Sequence, residues 1–497
     1  MGISIDREEF SENDYLAFSG RLYDSLDVLK GYMQRPSFGK APKLVGAELE
    51  NYIVDSAGKV LPINQKIIKA ADDARYTVEL NRFNLEVNFD PFPLSGNVFS
   101  ELQQNIDDHL SRLQTTANEF DAEIVPIGIL PTLQYSDLGK HSMTDLARYR
   151  SLSKQLFKMR GEHFQVDISG EEQLQVNSNH VALEGANTSF QFHLMINHEN
   201  FANAFNAVQL TTPLVLALAA NSPIFLGKSL WDETRIALFK QSIDSRRRGE
   251  VEWRQPSRVS FGHGWVRKDA HEIFAEAVAL YPPMFPILSD ISIDSSADND
   301  NLSPLDELCL HMGTIWPWNR PVYCPKDGGH VRIEMRALPA GPSSADMCAS
   351  AAFAAGLAFG LNDHIEDLLA VTPFRFAEYN FYRAAQKGLD ASIVWTQPSK
   401  HKPQEQAITT VIESMLPIAE KGLVDIGLNQ HEIDRHLGNI RDRLSKKQTG
   451  AIWQRKMLSK LNEKHDKQTA LFQMFQHYRQ WQKTKAPITE WSFERLK

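Results

Sequence analysis

Gly46-Ala47-Glu48-Leu49-Glu50 lies inside a largely apolar run from Lys43 to Val54 and sets two glutamates two residues apart. In a β-strand, residues i and i+2 point to one face. Glu48 and Glu50 therefore share a face, and Ala47 and Leu49 take the other. Three more segments repeat the arrangement. Asn84-Leu85-Glu86-Val87-Asn88 aligns Asn84, Glu86 and Asn88, and Gln191-Phe192-His193-Leu194-Met195 aligns Gln191 and His193. Arg332-Ile333-Glu334-Met335-Arg336 aligns Arg332, Glu334 and Arg336. One sheet with a wet, acidic face collects all four. Such a face repels itself unless cations sit among the acids, which is the chemistry of a Mg²⁺–nucleotide site.

The bulk composition narrows the choice of class. A chain of 497 residues, 42% hydrophobic and 23% charged, is a folded protein with room for more than one domain. A net charge of −9 gives no reason to expect nucleic acid or an anionic membrane as partner. Three cysteines without metal spacing suit a reducing cytoplasm. The polar, acidic start Met1-Gly2-Ile3-Ser4-Ile5-Asp6 does not read as a signal peptide. Leu210 to Leu226 is the most apolar stretch, but it is broken by Pro213, Asn221 and Pro223 and reads as a buried helix.

Working outward, residues 1–42 form an N-terminal helical segment whose apolar stripe is Leu16, Leu22, Leu26, Leu29 and Met33. A hairpin partner for the first strand is expected from Lys59, after the turn Asp55-Ser56-Ala57-Gly58. Helices are expected over 97–119, 142–159 and 199–221. Strands are expected over 76–90, 123–129, 172–197 and 329–338, and the stretch 227–270 reads as a basic loop. From 343 the pattern is helical almost to the end. Residues 397–497 hold 18 Lys/Arg against 11 Asp/Glu, a basic helical C-terminal extension on an acidic chain. The working division is 1–42, 43–396 and 397–497.

In these strands the chain resembles the glutamate–cysteine ligase type 2 family, the carboxylate–amine ligases of the glutamine synthetase-like superfamily. Gly46 to Glu50 looks like the family's opening Gly-x-Glu-x-Glu strand, followed by Leu85-Glu86-Val87-Asn88. Phe192 to Asn197 looks like its histidine strand, and Pro213 to Pro223 its post-histidine helix. His330 to Arg336 looks like its Glu-x-Arg strand, and Arg383 to Asp390 a late helix. The chain departs from the pattern where Gln191-Phe192-His193 replaces two histidines around a small residue.

The resemblance implies an α+β fold: a curved, mainly antiparallel sheet with an acidic concave face and helices on its back. It implies ATP and Mg²⁺ (or Mn²⁺) as cofactors, with Glu48, Glu50, Glu86, His193 and Glu334 as metal ligands. Glu79 joins them only if Asn81-Arg82-Phe83 breaks the strand, because seven residues is an odd spacing. Arg336 and Glu334 would serve catalysis at the transferring phosphoryl, and Arg246, Arg258 and Arg332 would contact phosphate or substrate carboxylate. The implied reaction forms an amide through an acyl phosphate, with glutamate and cysteine as default substrates and a place in glutathione biosynthesis. Small-molecule substrates are implied, with no nucleic-acid or membrane partner, and the resemblance is compatible with a homodimer.

Blander readings remain open at every position. Glu48, Glu50 and Glu86 could line a solvated strand face, His193 could be a core histidine, and Glu334/Arg336 could be an ordinary surface ion pair. Arg246-Arg247-Arg248 and Arg258 could belong to a solvated basic loop. A phosphotransferase on the same scaffold, or a non-catalytic sensor of amino acid or nucleotide, are the alternatives to a ligase.

Overall fold

The computed structural model describes residues 5–247, 255–293, 298, 301–396 and 402–494. The first element is helix α1 (Glu12–Met33), closed at its start by a capping box in which Asp14 N–H donates to Ser11 Oγ and Ser11 N–H donates to the Asp14 carboxylate. Strand β1 (Leu44–Val54) follows. Alternation between the two faces of this strand makes it the centre of the sheet. It pairs antiparallel with β3 (Asn84–Asn88), which pairs with the short β2 (Tyr76–Val78). On its other side it pairs with β5 (Phe190–Met195), then β7 (His330–Met335), then β6 (Asn319–Cys324) at the edge. The order is β6-β7-β5-β1-β3-β2. The short β4 (Glu123–Val125) extends the far end of β1.

The register puts the apolar set on one side, including Ala47, Leu49, Leu85, Val87, Phe192, Leu194 and Ile333, all buried. Helices cover this side. Helix α2 (Val98–Asn118) sets Phe99 against Phe192, ring centroids 6.0 Å apart. Helix α3 (Ala147–Arg160) instead brings Tyr149 near Glu79, Glu86 and Glu184, while α4 (Phe201–Ala219) follows β5. His198–Ala219 has the length and apolarity of a membrane span, yet it is almost wholly buried inside the protein, where it packs in the core.

Helix α5 (Ser344–Gly360) is rich in Ala and Gly and crosses α6 (Ile408–Asp425) at very close range. A Cβ at Gly422 would sit 2.0 Å from the Gly356 carbonyl oxygen, so only glycine permits that approach. Three further helices, α7 (Gln430–Lys446), α8 (Gly450–Asn462) and α9 (Lys467–Lys483), follow. Trp453 and Tyr478 from α8 and α9 share a core with Tyr52, Val54 and Val125 at the end of β1.

Several expectations change. Leu16 is 72% exposed, and the buried stripe of α1 runs through Phe18, Leu22, Leu26, Leu29 and Met33. After Lys59 there is one isolated bridge, Val54 to Val60, and then a helix (Asn64–Ala71) instead of a hairpin strand. The stretch after 227 contains a helix, Thr234–Ser242, buried on nearly all sides and so without amphipathic period. A hairpin, Phe164–Ser169 with Gln173–Ser178, precedes the loop to β5. The Leu210–Leu226 run is helical only as far as Ala219.

Candidate active site

The opposite face of the sheet carries the polar residues. Directly opposed residues of antiparallel strands lie on one face, and the register opposes Glu50 to Glu86, Glu48 to Asn88 and Gln191, His193 to Glu334, and Arg320 to Glu334. Ligand atoms of Glu50, Glu79 and Glu86 lie within 4.8 Å of one another, and so do those of Glu48, His193 and Glu334. Glu79 joins its group because β2 ends at Val78 and β3 begins at Asn84. The turn between them supplies the break that a spacing of seven requires. Asn81 anchors that turn by donating from Nδ2 to the Ala182 carbonyl at 2.9 Å.

The acids at the β1–β3 end are crowded. Burial raises the Glu50 carboxyl, against the pull of Arg235 and Arg336. Burial, Glu48 and Glu50 push Glu86 up to about 8, although Asn88 and Thr77 hydrogen-bond it. Burial and the Glu86, Glu50 and Glu184 charges push Glu79 well above the usual carboxylate range. Glu184, on a single 3₁₀ turn (Glu184–Ala186), is also raised to about 8, by burial and then by Glu50. Glu184 is not among the residues the sequence pattern singles out.

The other end differs. Burial pushes Glu334 up, but Arg320 and Arg336 outweigh it and hold the carboxyl well below its ordinary value. Arg320 forks Glu334, Nε to Oε2 at 2.7 Å and Nη2 to Oε1 at 3.2 Å. Arg336 Nη1 donates to Glu334 Oε2 at 3.0 Å and also to Gln191 Oε1. Gln191 Nε2 in turn donates to Glu50 Oε1 at 3.1 Å, and Ser189 N–H to Glu50 Oε2 at 2.7 Å. Gln191 thus links the two ends.

His193 stands between them. Burial lowers its pKa despite Glu48 and Glu334, so the ring is neutral. Arg332 Nε donates to His193 Nδ1 at 3.2 Å. His193 Nε2 lies 3.4 Å from Glu48 Oε1 and 3.5 Å from Glu334 Oε1, is buried, and makes no hydrogen bond among the described residues. A buried nitrogen left over between two carboxylate oxygens fits a bound cation. The all-oxygen set of Glu50, Glu79 and Glu86 fits a hard divalent ion even more directly.

Arg246 and Arg258, the other arginines expected at the site, have protein partners of their own. Arg246 forks Asp244 at 2.8 Å through Nε and Nη2. Arg258 is buried and donates to the carbonyls of Thr314 and Pro282, and burial lowers its guanidinium to about 10. Arg248 lies outside the described residues. Arg320 and Arg235 are the basic residues at the site that the sequence reading missed. Arg235 pairs with buried Glu233 at 3.0 Å and its charge reaches Glu50.

A model of glutamate-cysteine ligase family 2 matches residues 44–473. The chain belongs to that family. It is therefore a ligase by family, and the match runs past residue 397 into α9. The chain matches no curated protein sequence. Among solved structures it is similar to glutamate–cysteine ligase from Francisella tularensis in complex with AMP. The two are 12% identical with a TM-score of 0.48, over 92% of this chain and 91% of that one. It is also similar to a bifunctional glutathione synthetase from Pasteurella multocida, 10% identical with a TM-score of 0.45, over 94% of this chain and 54% of that one. Both likenesses are distant, and the family assignment rests on the sequence match.

Proposed function

We propose that the protein is an ATP- and Mg²⁺-dependent carboxylate–amine ligase that joins the γ-carboxylate of L-glutamate to an amine, with L-cysteine the first candidate. The observation that carries this reading is the meeting of two acid groups on one sheet face beside Arg336, in a chain of this family. Divalent ions, held by Glu50, Glu79 and Glu86 and by Glu48, His193 and Glu334, would neutralise and orient the phosphates.

The reaction runs in two steps. A carboxylate oxygen of the first substrate attacks the γ-phosphorus of ATP, the bond to the β-phosphate oxygen breaks, and ADP leaves. The amine nitrogen then attacks the acyl carbon, the bond to phosphate breaks, and the nitrogen gives up a proton. In this reading Arg336 is a catalytic residue. One of its nitrogens is pinned by Glu334 and Gln191, so the planar fork is fixed in direction and offers its other N–H groups to the phosphoryl oxygens. Arg320 is a positioning residue that holds Glu334 from the far side. For His193 Nε2 to offer a lone pair, the ring proton must move to Nδ1. Arg332 then has to release Nδ1, which frees its guanidinium for an incoming anion.

The same reading takes residues 43–396 as the catalytic unit and 397–497 as a helical extension that buttresses the end of β1. The three free cysteines suit a cytoplasmic enzyme.

The test is ADP release from ATP and Mg²⁺ with L-glutamate alone and then with a panel of amines, with mass spectrometry of the products. Glutamate-dependent ADP and a new amide mass are expected for one amine. A phosphorylated product without an amide would replace the ligase reading with the phosphotransferase one.

A further inference from the structure

On the helix side of the sheet, a cavity of about 310 Å³ opens between α2, β4, the start of α5 and the end of α9. Its volume is that of a small-molecule site. One wall is acidic, with Asp107 from α2 and Glu123 from β4. The end of α9 and the residues after it add the basic Arg479, Lys483 and Lys485 beside these acids. Arg479 Nη1 and Lys483 Nζ reach the Glu123 carboxylate at 3.2 and 3.0 Å, and Lys485 Nζ lies 3.5 Å from Asp107 Oδ2. Within the lining, three cations thus pair with two carboxylates, a surplus of one positive charge.

The site is built from buried polar groups. Asp107 is 9% exposed, Arg479 4% and Ser344 4%. Arg479 Nε and Ser344 Oγ are buried donors without a hydrogen-bond partner among the described residues. Ser344 also opens the 17-residue helix α5, whose positive dipole end faces this cavity wall.

We propose that this cavity binds an acidic α-amino acid, a molecule with two carboxylates and one ammonium. Its net charge of −1 matches the surplus. The ammonium pairs with Asp107 and Glu123, and the carboxylates pair with the lysines and the start of α5. The site is joined to the acidic face through the backbone. Val125 on β4 pairs with Tyr52, two residues beyond Glu50 on β1. Pro339, between Arg336 and the cavity, bridges to Ser189, whose N–H holds Glu50. The cavity thus adjoins both segments that carry the acidic face.

The experiment is calorimetric titration of the full chain with L-glutamate, L-aspartate and L-glutamine, without ATP or divalent ions. Ser111→Trp fills the rim from an exposed position, and Lys485→Asn removes one cation at a left-handed residue that asparagine tolerates. Glu50→Gln perturbs only the acidic face. An acidic amino acid is expected to bind wild type and Glu50→Gln alike and to bind both cavity variants about tenfold or more weakly, with glutamine weaker than glutamate. Binding that survives Ser111→Trp and Lys485→Asn but is lost in Glu50→Gln would overturn the proposal. So would the absence of saturable binding by any acidic amino acid to wild type.

Discussion

Two ends of one sheet face use the same residue type to opposite effect. At the β1–β3 end, Glu50, Glu79, Glu86 and Glu184 crowd together with few compensating bases, and all are pushed toward the protonated form. At the β6–β7 end, Glu334 is more deeply buried but is clamped by Arg320 and Arg336 and stays ionised. Burial acts in one direction on both. The difference is whether the protein supplies its own cations. The first end is left to be neutralised from outside and the second is neutralised from within. Under the proposed function, a face that receives a metal-bound polyphosphate at one point and keeps an arginine fixed at another needs both.

The largest expected effect is at the clamped end. Arg336→Lys keeps the charge and loses the fork, so turnover in the ADP-release assay should fall by about 10³-fold or more while the melting temperature changes little. An unchanged rate would reduce Glu334–Arg336 to an ordinary ion pair.

The second prediction sets the two ends against each other in stability. Glu334→Gln leaves the largely buried Arg320 without its carboxylate and should destabilise the metal-free protein by about 3 kcal/mol in urea unfolding. Glu86→Gln removes one of several repelling acids and should leave the metal-free protein as stable as wild type or about 0.5 kcal/mol more so. Equal losses in both would erase the contrast. The same pair sharpens it with Mn²⁺ as a probe. Glu86→Gln should weaken binding by about tenfold or more in a paramagnetic titration, because one of three oxygen donors to that ion is lost.

The smallest effect is a control away from the face. Glu432 on α7 accepts from Ser100 N–H at 2.7 Å on α2 and lies 3.2 Å from His436 Nε2. Burial pushes its carboxyl up, but the bonds from His436 and Ser100 outweigh burial and hold it at about 2. A depressed carboxylate stabilises the fold above its ordinary pKa of 4.5 and loses that contribution as pH falls toward 2. Glu432→Gln should therefore be less stable than wild type at pH 7, with the gap closing progressively below pH 4.5. A gap independent of pH would show that the carboxylate charge plays no part.

The strands of the acidic face were legible because each alternates charge with apolar residues over at least five positions, and tertiary packing had no reason to override that period. Glu79 was legible only conditionally, since its orientation depends on a turn. Arg320 was hidden by Pro321, which demotes a run as a central strand. The strand is at the sheet edge, where proline is tolerated, and Arg320, Val322 and Cys324 alternate as the period requires. Arg235 sits on a helix buried nearly all round, so no amphipathic stripe announced it. Glu184 leaves a turn in a direction set by distant contacts, which no local pattern records.

The turn between Val78 and Asn84 has a consequence for recognising relatives of this chain. Both strands would keep their pairing if the turn gained or lost one residue, but Glu79 would swing away from Glu50 and Glu86. The interval of seven between the two glutamates is therefore a length signature, tolerant of substitution at positions such as Arg82 yet intolerant of any insertion. An alignment that opens a gap there has either misplaced one of the acids or found a protein with a different site.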